Sequence, residues 1–349
     1  MNMKKLKSGL WRGLAITLAL VFLAASTSSE DFLQQRRDFR EKIEDKRETA
    51  LDDKELYWSV TFKGEKDYNF KMDEELRQRL VSYTSEYFNT DNQKLLGKMA
   101  DKMQEGRYII YKDYQEDGVN LKTLFLSPEA KYWEWLTDGD GIEQMFHVYN
   151  FSVGLGGPDR NTEYVIIQTE GSFWGITQQV TLPVKFIADA NERTYSFHMP
   201  TQKEITDWVE KMPALKTGRT SPEEKYIDYC REHPFFQMKD DDGNYEIEDD
   251  QIIEYYETTV TDLDEECPVK EMSGHWRIQE GLPWLLVDYS LKTRVNMDAF
   301  IPRSLRFMSG ALENVAQKIS DEVSVKYLPL SMKNFRDHTQ EWTRTGVPE

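Results

Sequence analysis

The spacing of hydrophobic residues along this chain changes from helical to strand-like. Between Asp73 and Gln104 these residues recur at steps of three and four, which predicts two amphipathic helices with a break near residues 89–92. From Tyr108 to Phe125 and from Met145 to Met199 the period is two, and Gly, Pro, Asp or Asn residues separate short β-branched and aromatic runs. This alternation predicts an antiparallel meander of short strands. Between these two stretches, a short helix is predicted from Ser127 to Asp138.

The strand pattern returns toward the C-terminal end. Ser273–Gln279 and Trp284–Val295 are predicted to form a hairpin, and apolar residues alternate with polar ones in its second strand. That alternation indicates one buried face and one solvated face. A long amphipathic helix is predicted from Pro302, with an apolar side formed by Leu305, Met308, Leu312, Val315 and Ile319. Within the meander, Pro183 separates two predicted strands, Gly175–Val180 and Val184–Ala188.

Residues 201–266 interrupt the strands, and we interpret them as an insertion with helical segments. From Asp240 to Glu266 the insertion carries thirteen acidic residues and no basic one. The chain has two cysteines. Cys230 lies inside the insertion and Cys267 lies at its edge. In an oxidising compartment such a pair favours a disulfide. The alternative is two buried free thiols.

The N-terminal 25 residues have the three-part layout of a secretory signal peptide. Basic residues precede an apolar run, Leu14–Ala25, and small residues follow it. The run has about a dozen residues, whereas a membrane-spanning helix needs roughly 20, so cleavage is favoured over an uncleaved anchor. The sequence therefore predicts export to a periplasmic or extracellular location.

Two other terminal regions have separate patterns. Residues 30–105 are predicted to form a charged helical extension, in which residues 30–54 are a solvated helix or a tether because they combine dense charge with few apolar residues. Residues 327–349 form a short tail of mixed composition, for which the pattern predicts no element.

Charge and composition limit the classes of partner. The formal net charge is −18, and loss of the four basic residues of the signal brings the mature chain to about −22. A chain of this charge is poorly suited to nucleic acid, which is bound by clustered Lys and Arg. Aromatic residues make up 13% of the chain, and they require a folded core. After the signal, no segment is long and apolar enough to span a bilayer.

Several segments resemble the START-like superfamily, which has the helix-grip fold and includes polyketide cyclases and coenzyme-Q-binding proteins. Residues 123–138 (TLFLSPEAKYWEWLTD) are similar to its first strand and helix. Gly274–Ile278 and Leu285–Tyr289 are similar to its last two strands, and Ile301–Leu305 to the start of its final helix. The resemblance covers about 119–323 and implies a START-like domain over 106–326, interrupted by the insertion.

The fold class that this resemblance implies is α+β. A curved antiparallel sheet would wrap around the long C-terminal helix, with the insertion and the N-terminal helical extension added. A cavity between helix and sheet suits a hydrophobic ligand. The candidate lining residues are Phe186, Tyr195, Phe197, Trp276, Tyr289, Met308 and Leu312. The alternative is that these side chains fill a solid core.

Other chemistry finds little support in the motifs. None of the five histidines stands in a His-Glu-x-x-His spacing, so no zinc site is predicted. His147, His198 and His275 fall on candidate strands, and a catalytic role would need them to converge in the cavity. The acidic run at 240–244 fails as a calcium loop because Met238 would take the first ligand position. We therefore predict no metal and no cofactor.

Three functions remain open at this point. The favoured one is an exported protein that holds or carries a hydrophobic ligand, lipid-like or polycyclic, in a helix-grip cavity. The second is a cyclase-like or hydrolytic enzyme acting on an apolar substrate, which requires His or Glu side chains that meet inside the cavity. The third is a non-catalytic interaction protein of the envelope, which requires a filled core and an exposed apolar patch on the additions. The sequence identifies no protein partner.

Overall fold

The fold is built on one antiparallel sheet. The computed structural model describes residues 45–66, 68–115, 118–128, 132–133, 149–173, 176–232, 234–236, 249–263, 267, 269–279, 283–295, 325 and 328–345. Within these residues eleven strands pair in the order β1-β2-β3-β4-β11-β10-β8-β7-β6-β5-β9. The strands are β1 (Lys46–Ala50), β2 (Tyr57–Phe62), β3 (Tyr108–Gln115), β4 (Gly118–Ser127), β5 (Tyr149–Gly154), β6 (Thr162–Phe173), β7 (Ile176–Asp189), β8 (Thr194–His198), β9 (Pro234–Phe236), β10 (Val269–Gln279) and β11 (Leu285–Val295).

Helices precede, interrupt and follow the strands. The α-helices in the described part of the chain are α1 (Glu74–Phe88), α2 (Gln93–Gln104), α3 (Gln202–Lys211), α4 (Pro222–Glu232), α5 (Asp249–Tyr256) and α6 (Leu328–Thr345). Asp73 and Asn92 cap α1 and α2 by accepting a hydrogen bond from a backbone N–H of the first turn. A turn of π-helix, Glu257–Thr261, extends α5. The α+β class and the two predicted helices of 73–104 are confirmed.

The pairing places the predicted elements of the domain side by side. Strand β4, the predicted first strand of the domain, pairs with β11, the predicted last one. Strands β5 to β8 pair in sequence as the predicted meander, and β10 pairs with β11 as the predicted hairpin. Strand β8 also pairs with β10, so residues 201–266 lie between two neighbouring strands, as an insertion does. The helix predicted from Pro302 lies outside the described residues.

Two expectations about individual elements are wrong, and the tail that the pattern left unassigned contains a helix. Lys46–Ala50 is a strand and not part of a helix or tether, because it pairs along its whole length with β2. Pro183 does not end a strand, because β7 continues through it. The pairing of β7 with β8 begins only at Lys185, so the missing N–H of Pro183 removes no hydrogen bond to β8. The C-terminal tail contains the 18-residue helix α6, whose apolar residues Leu328, Met332 and Phe335 share one side.

The two faces of the sheet are covered by different elements. We call the face that carries Trp276 the aromatic face and the other the opposite face. On the opposite face, α1 and α2 cover β3, β4 and β11 with a second hydrophobic core. The insertion covers the other end of that face, where Trp208 of α3 stacks on Tyr164 of β6 with ring centroids 5.6 Å apart. Helix α6 packs on the aromatic face through Phe335, 4.5 Å from Trp276 between ring centroids.

A buried arginine joins the C-terminal helix to the N-terminal region. The side chain of Arg336 is fully buried and forms an ion pair with Glu65, which follows β2. Its guanidinium lies 4.4 Å from the ring centroid of Tyr68 and 4.2 Å from that of Tyr108, and it donates to the carbonyl of Gly106 at 2.8 Å. Tyr108 also donates to Glu65, at 2.7 Å. Residues 65–108 and α6 are therefore fixed to each other by one polar cluster.

Loss of this arginine should destabilise the whole fold. We expect Arg336→Met to lower the free energy of unfolding by about 3–5 kcal/mol, because Glu65 would remain buried without a counter-ion. Urea denaturation followed by tryptophan fluorescence measures the change. Lys333→Met is the control on the same helix: it removes the more exposed Lys333–Asp337 pair, and we expect a loss of about 0.5 kcal/mol or less. Equal effects of the two variants would contradict the assignment.

Candidate functional site

Aromatic side chains form a continuous surface across four strands on the aromatic face. Phe186 of β7 stacks on Tyr195 of β8, with ring centroids 5.2 Å apart. Phe197 lies 6.1 Å from Phe186 and 6.0 Å from Tyr289 of β11. Trp276 of β10 lies 4.5 Å from Tyr289. The structure therefore brings together five of the seven predicted lining residues. The other two, Met308 and Leu312, lie outside the described residues.

Strand register divides this surface into two parallel rows. Tyr195, Trp276 and Tyr289 are direct cross-strand partners and form the buried row. Phe186, Phe197, Gly274 and Leu291 are partners in the same way and form the neighbouring row, which we call the open row. All seven residues share a face, because on β8, β10 and β11 the residue of one row is two positions from the residue of the other row.

Solvent exposure distinguishes the two rows. In the buried row the exposed fractions are 7% for Tyr195, 2% for Trp276 and 3% for Tyr289. In the open row Phe186, Gly274 and Leu291 are all partly exposed, and only Phe197 is buried. Apolar surface in contact with water is where a hydrophobic ligand gains free energy on binding. The open row is thus the accessible part of the aromatic face.

Helix α6 closes the aromatic face on the side of the buried row. Phe335 lies against Trp276, and its ring centroid is 4.8 Å from that of Tyr132 and 6.4 Å from that of Phe125. Sequence reasoning missed this residue because the tail was not recognised as a helix. The spacing of Leu328, Met332 and Phe335 is the signal that would have revealed it.

Gly274 shapes the middle of the open row. A Cβ at this position would lie 2.5 Å from the ring of Phe197 and 2.0 Å from the carbonyl oxygen of Ser290. Both distances are far below van der Waals contact, so a side chain here would displace the aromatic ring and the neighbouring strand. Glycine therefore lets Phe197 lie over the backbone of β10.

One carboxyl group lies at the end of the open row. Glu163 of β6 is the cross-strand partner of Phe186, and its side chain is partly buried. Burial raises the pKa of this carboxyl above its ordinary value near 4.5. Burial, and after it the charge of Glu163, raises the pKa of Tyr195. Glu163 was not among the predicted site residues, because its position in the sequence resembles that of any polar residue at a strand end.

The opposite face carries a polar cluster behind the buried row. Asp288 is fully buried and accepts hydrogen bonds from Arg277 Nε at 2.9 Å and from the hydroxyl of Tyr83 in α1. His275 Nε2 lies 2.9 Å from Asp288 Oδ1, and His275 Nδ1 lies 2.8 Å from Ser290 Oγ. The carboxylate is acceptor-only, so Nε2 is the donor of that pair. This network ties α1 to the sheet.

The histidines do not converge on the aromatic face. His275 neighbours Trp276 along β10 and therefore points to the opposite face, and His198 neighbours Phe197 in the same way. Burial lowers the pKa of His198. His147 lies outside the described residues. His198 and His275 therefore do not meet the condition for a catalytic role, because strand alternation separates them from the aromatic side chains.

The predicted disulfide is also not formed in the structure. Cys230 and Cys267 are both buried, and no disulfide joins them. They lie in the large hydrophobic core together with Tyr226 and Val260. Burial raises the pKa of the Cys230 thiol, so the neutral form is favoured there. The structure therefore has the alternative arrangement, two buried thiols that act as small hydrophobic residues.

Neither a metal site nor a membrane span is found in the described part of the chain. No group of three or more His, Cys, Asp or Glu residues there is arranged to hold a metal ion. Likewise, none of the described helices combines the length and the apolar character needed to cross a bilayer.

The environment of Glu163 leads to a prediction about pH. Because its pKa is raised in the folded state, its contribution to stability is complete below about 4.5 and is lost as the pH rises through the folded-state pKa. We expect Glu163→Gln to be more stable than the wild type at about pH 7 and equally stable at about pH 4, by urea denaturation. Glu192→Gln, in an exposed turn, should change stability by less than about 0.5 kcal/mol at either pH. A constant difference across this range would refute the assignment.

Comparison with known proteins gives likenesses at the level of structure. No protein-family model matches the chain, and no curated protein matches its sequence. Among solved structures, the Zhui aromatase/cyclase from Streptomyces sp. R1128 is 12% identical, with 66% of this chain and 98% of that chain covered and a TM-score of 0.36. A STAR-related lipid transfer protein from Xanthomonas axonopodis is 10% identical, with 67% and 93% covered and a TM-score of 0.33.

A human protein gives a similar result. Human STARD10 is 9% identical, with 82% of this chain and 93% of that chain covered and a TM-score of 0.30. At such identities the likeness concerns the fold alone. The three solved structures named here are an aromatase/cyclase, a STAR-related lipid transfer protein and STARD10, and with TM-scores below 0.5 they carry no argument about what this chain does.

Proposed function

We propose that this protein binds a hydrophobic small molecule, lipid-like or polycyclic, against its aromatic face, and that the ligand enters over the open row. The observation that carries the proposal is the partly exposed row of Phe186, Gly274 and Leu291 beside the buried aromatic row. A ligand that covers this row removes apolar area from water, which contributes about 25 cal/mol per Å². Aromatic contacts with a polycyclic ligand would add to this.

The distribution of ionisable groups favours binding over catalysis. A hydrolytic or cyclase-like mechanism needs an acid and a base that reach the same reacting atoms. His198 and His275 lie on the opposite face, and Glu163 is the one carboxyl in register with the open row among the described residues. This arrangement supports a site that holds its ligand without changing it.

An interaction protein is the less favoured alternative. It would expose an apolar patch on the insertion or on the N-terminal region. Among the described residues the one large hydrophobic side chain that is exposed is Tyr114, in β3. A single exposed side chain is normal for a soluble surface and does not form a patch. The apolar surface that the sheet does offer is the open row.

Ligand binding can be tested with a neutral fluorescent probe. N-phenyl-1-naphthylamine fluoresces strongly when it leaves water for an apolar site, and we expect the protein to bind it. Phe186→Asp places a charge in the open row and should weaken binding at least about tenfold. Ile187→Asp is the matched control: the residue is also partly exposed, but it lies on the opposite face, so probe binding should be retained.

Two results would count against this function. One is the absence of any fluorescence increase with a wild-type protein whose thermal unfolding is cooperative. The other is equal loss of binding in both variants, since that would indicate general destabilisation. Organic extraction of the purified protein followed by mass spectrometry would in addition identify a ligand that co-purifies.

We also propose that the protein acts after export, where an apolar molecule needs a carrier to cross water. The support is the signal-peptide layout of residues 1–25. Expression of the full chain in a bacterial host and intact-mass analysis of the periplasmic fraction tests this. We expect a product that begins at about residue 26 or 27, whereas Arg12→Leu with a lengthened apolar run should retain its N-terminus. An uncleaved chain in the cytoplasm would overturn the proposal.

A further inference from the structure

Glu163 differs from the other acidic side chains that pack on the sheet. Several partly or fully buried carboxylates have a cation as partner, namely Glu48 with Lys112, Glu65 with Arg336, Glu204 with Lys185 and Asp288 with Arg277. In the described part of the chain the side chain of Glu163 has no ion-pair or hydrogen-bond partner, and burial raises the pKa of its carboxyl. A carboxylate removed from water is stable only when a counter-charge or hydrogen-bond donors compensate it. The charge of Glu163, which is only partly buried, is therefore compensated by solvent and by no residue of the described part of the chain.

The surroundings of Glu163 have the chemistry of a cation site. Phe186 is its direct cross-strand partner, and Tyr195 stacks on Phe186. Burial, and after it the charge of Glu163, raises the pKa of Tyr195. The faces of aromatic rings carry negative electrostatic potential and attract ammonium groups within about 6 Å. A carboxylate next to two such rings attracts a positive charge and repels a negative one.

We propose that the ligand of the open row is a cationic amphiphile, an apolar molecule with an amine or quaternary ammonium group that Glu163 binds beside Phe186 and Tyr195. This inference rests on the proposed function, because it assigns the polar end of the same ligand. The apolar part lies along Phe197, Gly274 and Leu291, and the positive end lies at the β6 side of the row.

The geometry favours this class over neutral or anionic ligands. An alcohol can donate one hydrogen bond to Glu163, but it brings no positive charge to compensate the carboxylate. A fatty acid places a second carboxylate beside the first, which is unfavourable in a partly buried site. Only a cation supplies the counter-charge that the paired carboxylates of this sheet obtain from Lys or Arg.

Three probes of equal chain length test the proposal: decylamine, decanol and decanoate. Each displaces N-phenyl-1-naphthylamine from the wild type, from Glu163→Gln and from Glu192→Gln at neutral pH. We expect the wild type to bind decylamine about tenfold more tightly than decanol and to bind decanoate most weakly. In Glu163→Gln the preference for the amine should disappear while decanol binding is retained. Glu192→Gln, which removes an exposed charge, should bind like the wild type.

The outcomes separate this inference from the proposed function. If the fluorescent probe itself does not bind, the hydrophobic site is refuted and the inference falls with it. If all probes bind and decylamine has no advantage, the site stands and the cationic ligand is overturned. An amine preference that persists in Glu163→Gln or that is lost equally in Glu192→Gln also overturns it, since net charge and not Glu163 would be the cause.

Discussion

The ion pair between Arg336 and Glu65 is the interaction on which the arrangement of this protein depends. A buried guanidinium needs a counter-charge and hydrogen-bond acceptors, and here they come from parts of the chain that are far apart in sequence. Tyr68 and Tyr108 enclose the charge from both sides. Arg336 follows Phe335 directly in α6, so the ion pair holds the same turn of the helix that packs against Trp276 on the aromatic face.

A consequence is that the N-terminal region is part of the domain. Its strands β1 and β2 continue the sheet beyond β3, and its helices α1 and α2 cover the opposite face. Tyr83 and Tyr87 of α1 donate hydrogen bonds to Asp288 and to the backbone carbonyl of Tyr289. The opposite face is thereby used for structural polar contacts, and the proposed ligand is assigned to the aromatic face.

The alternation of side chains along the strands made part of the site predictable. Phe186, Tyr195, Phe197, Trp276 and Tyr289 occupy alternating positions of predicted strands, and the structure places all five on one face. Phe335 and Glu163 could not be found in this way. Phe335 belongs to a helix in a stretch of mixed composition, and Glu163 matters only through its cross-strand pairing with Phe186. The face of His198 and His275 was left open for a related reason, since a position on a strand does not by itself say which face a residue takes.

By itself, the sequence determined the helices α1 and α2, the strands β3 and β4, the hairpin of β10 and β11, and the alternating aromatic positions of one sheet face. These follow from local periodicity, which a single strand or helix already expresses. Only the tertiary structure decided the register that makes an open row of Phe186, Phe197, Gly274 and Leu291, the closure of the buried row by α6, and the position of Glu163. The absence of a disulfide between Cys230 and Cys267 was decided there as well. The physical reason is that pairing and burial are contacts between residues distant in the chain, and no local pattern encodes which distant residue will be the partner.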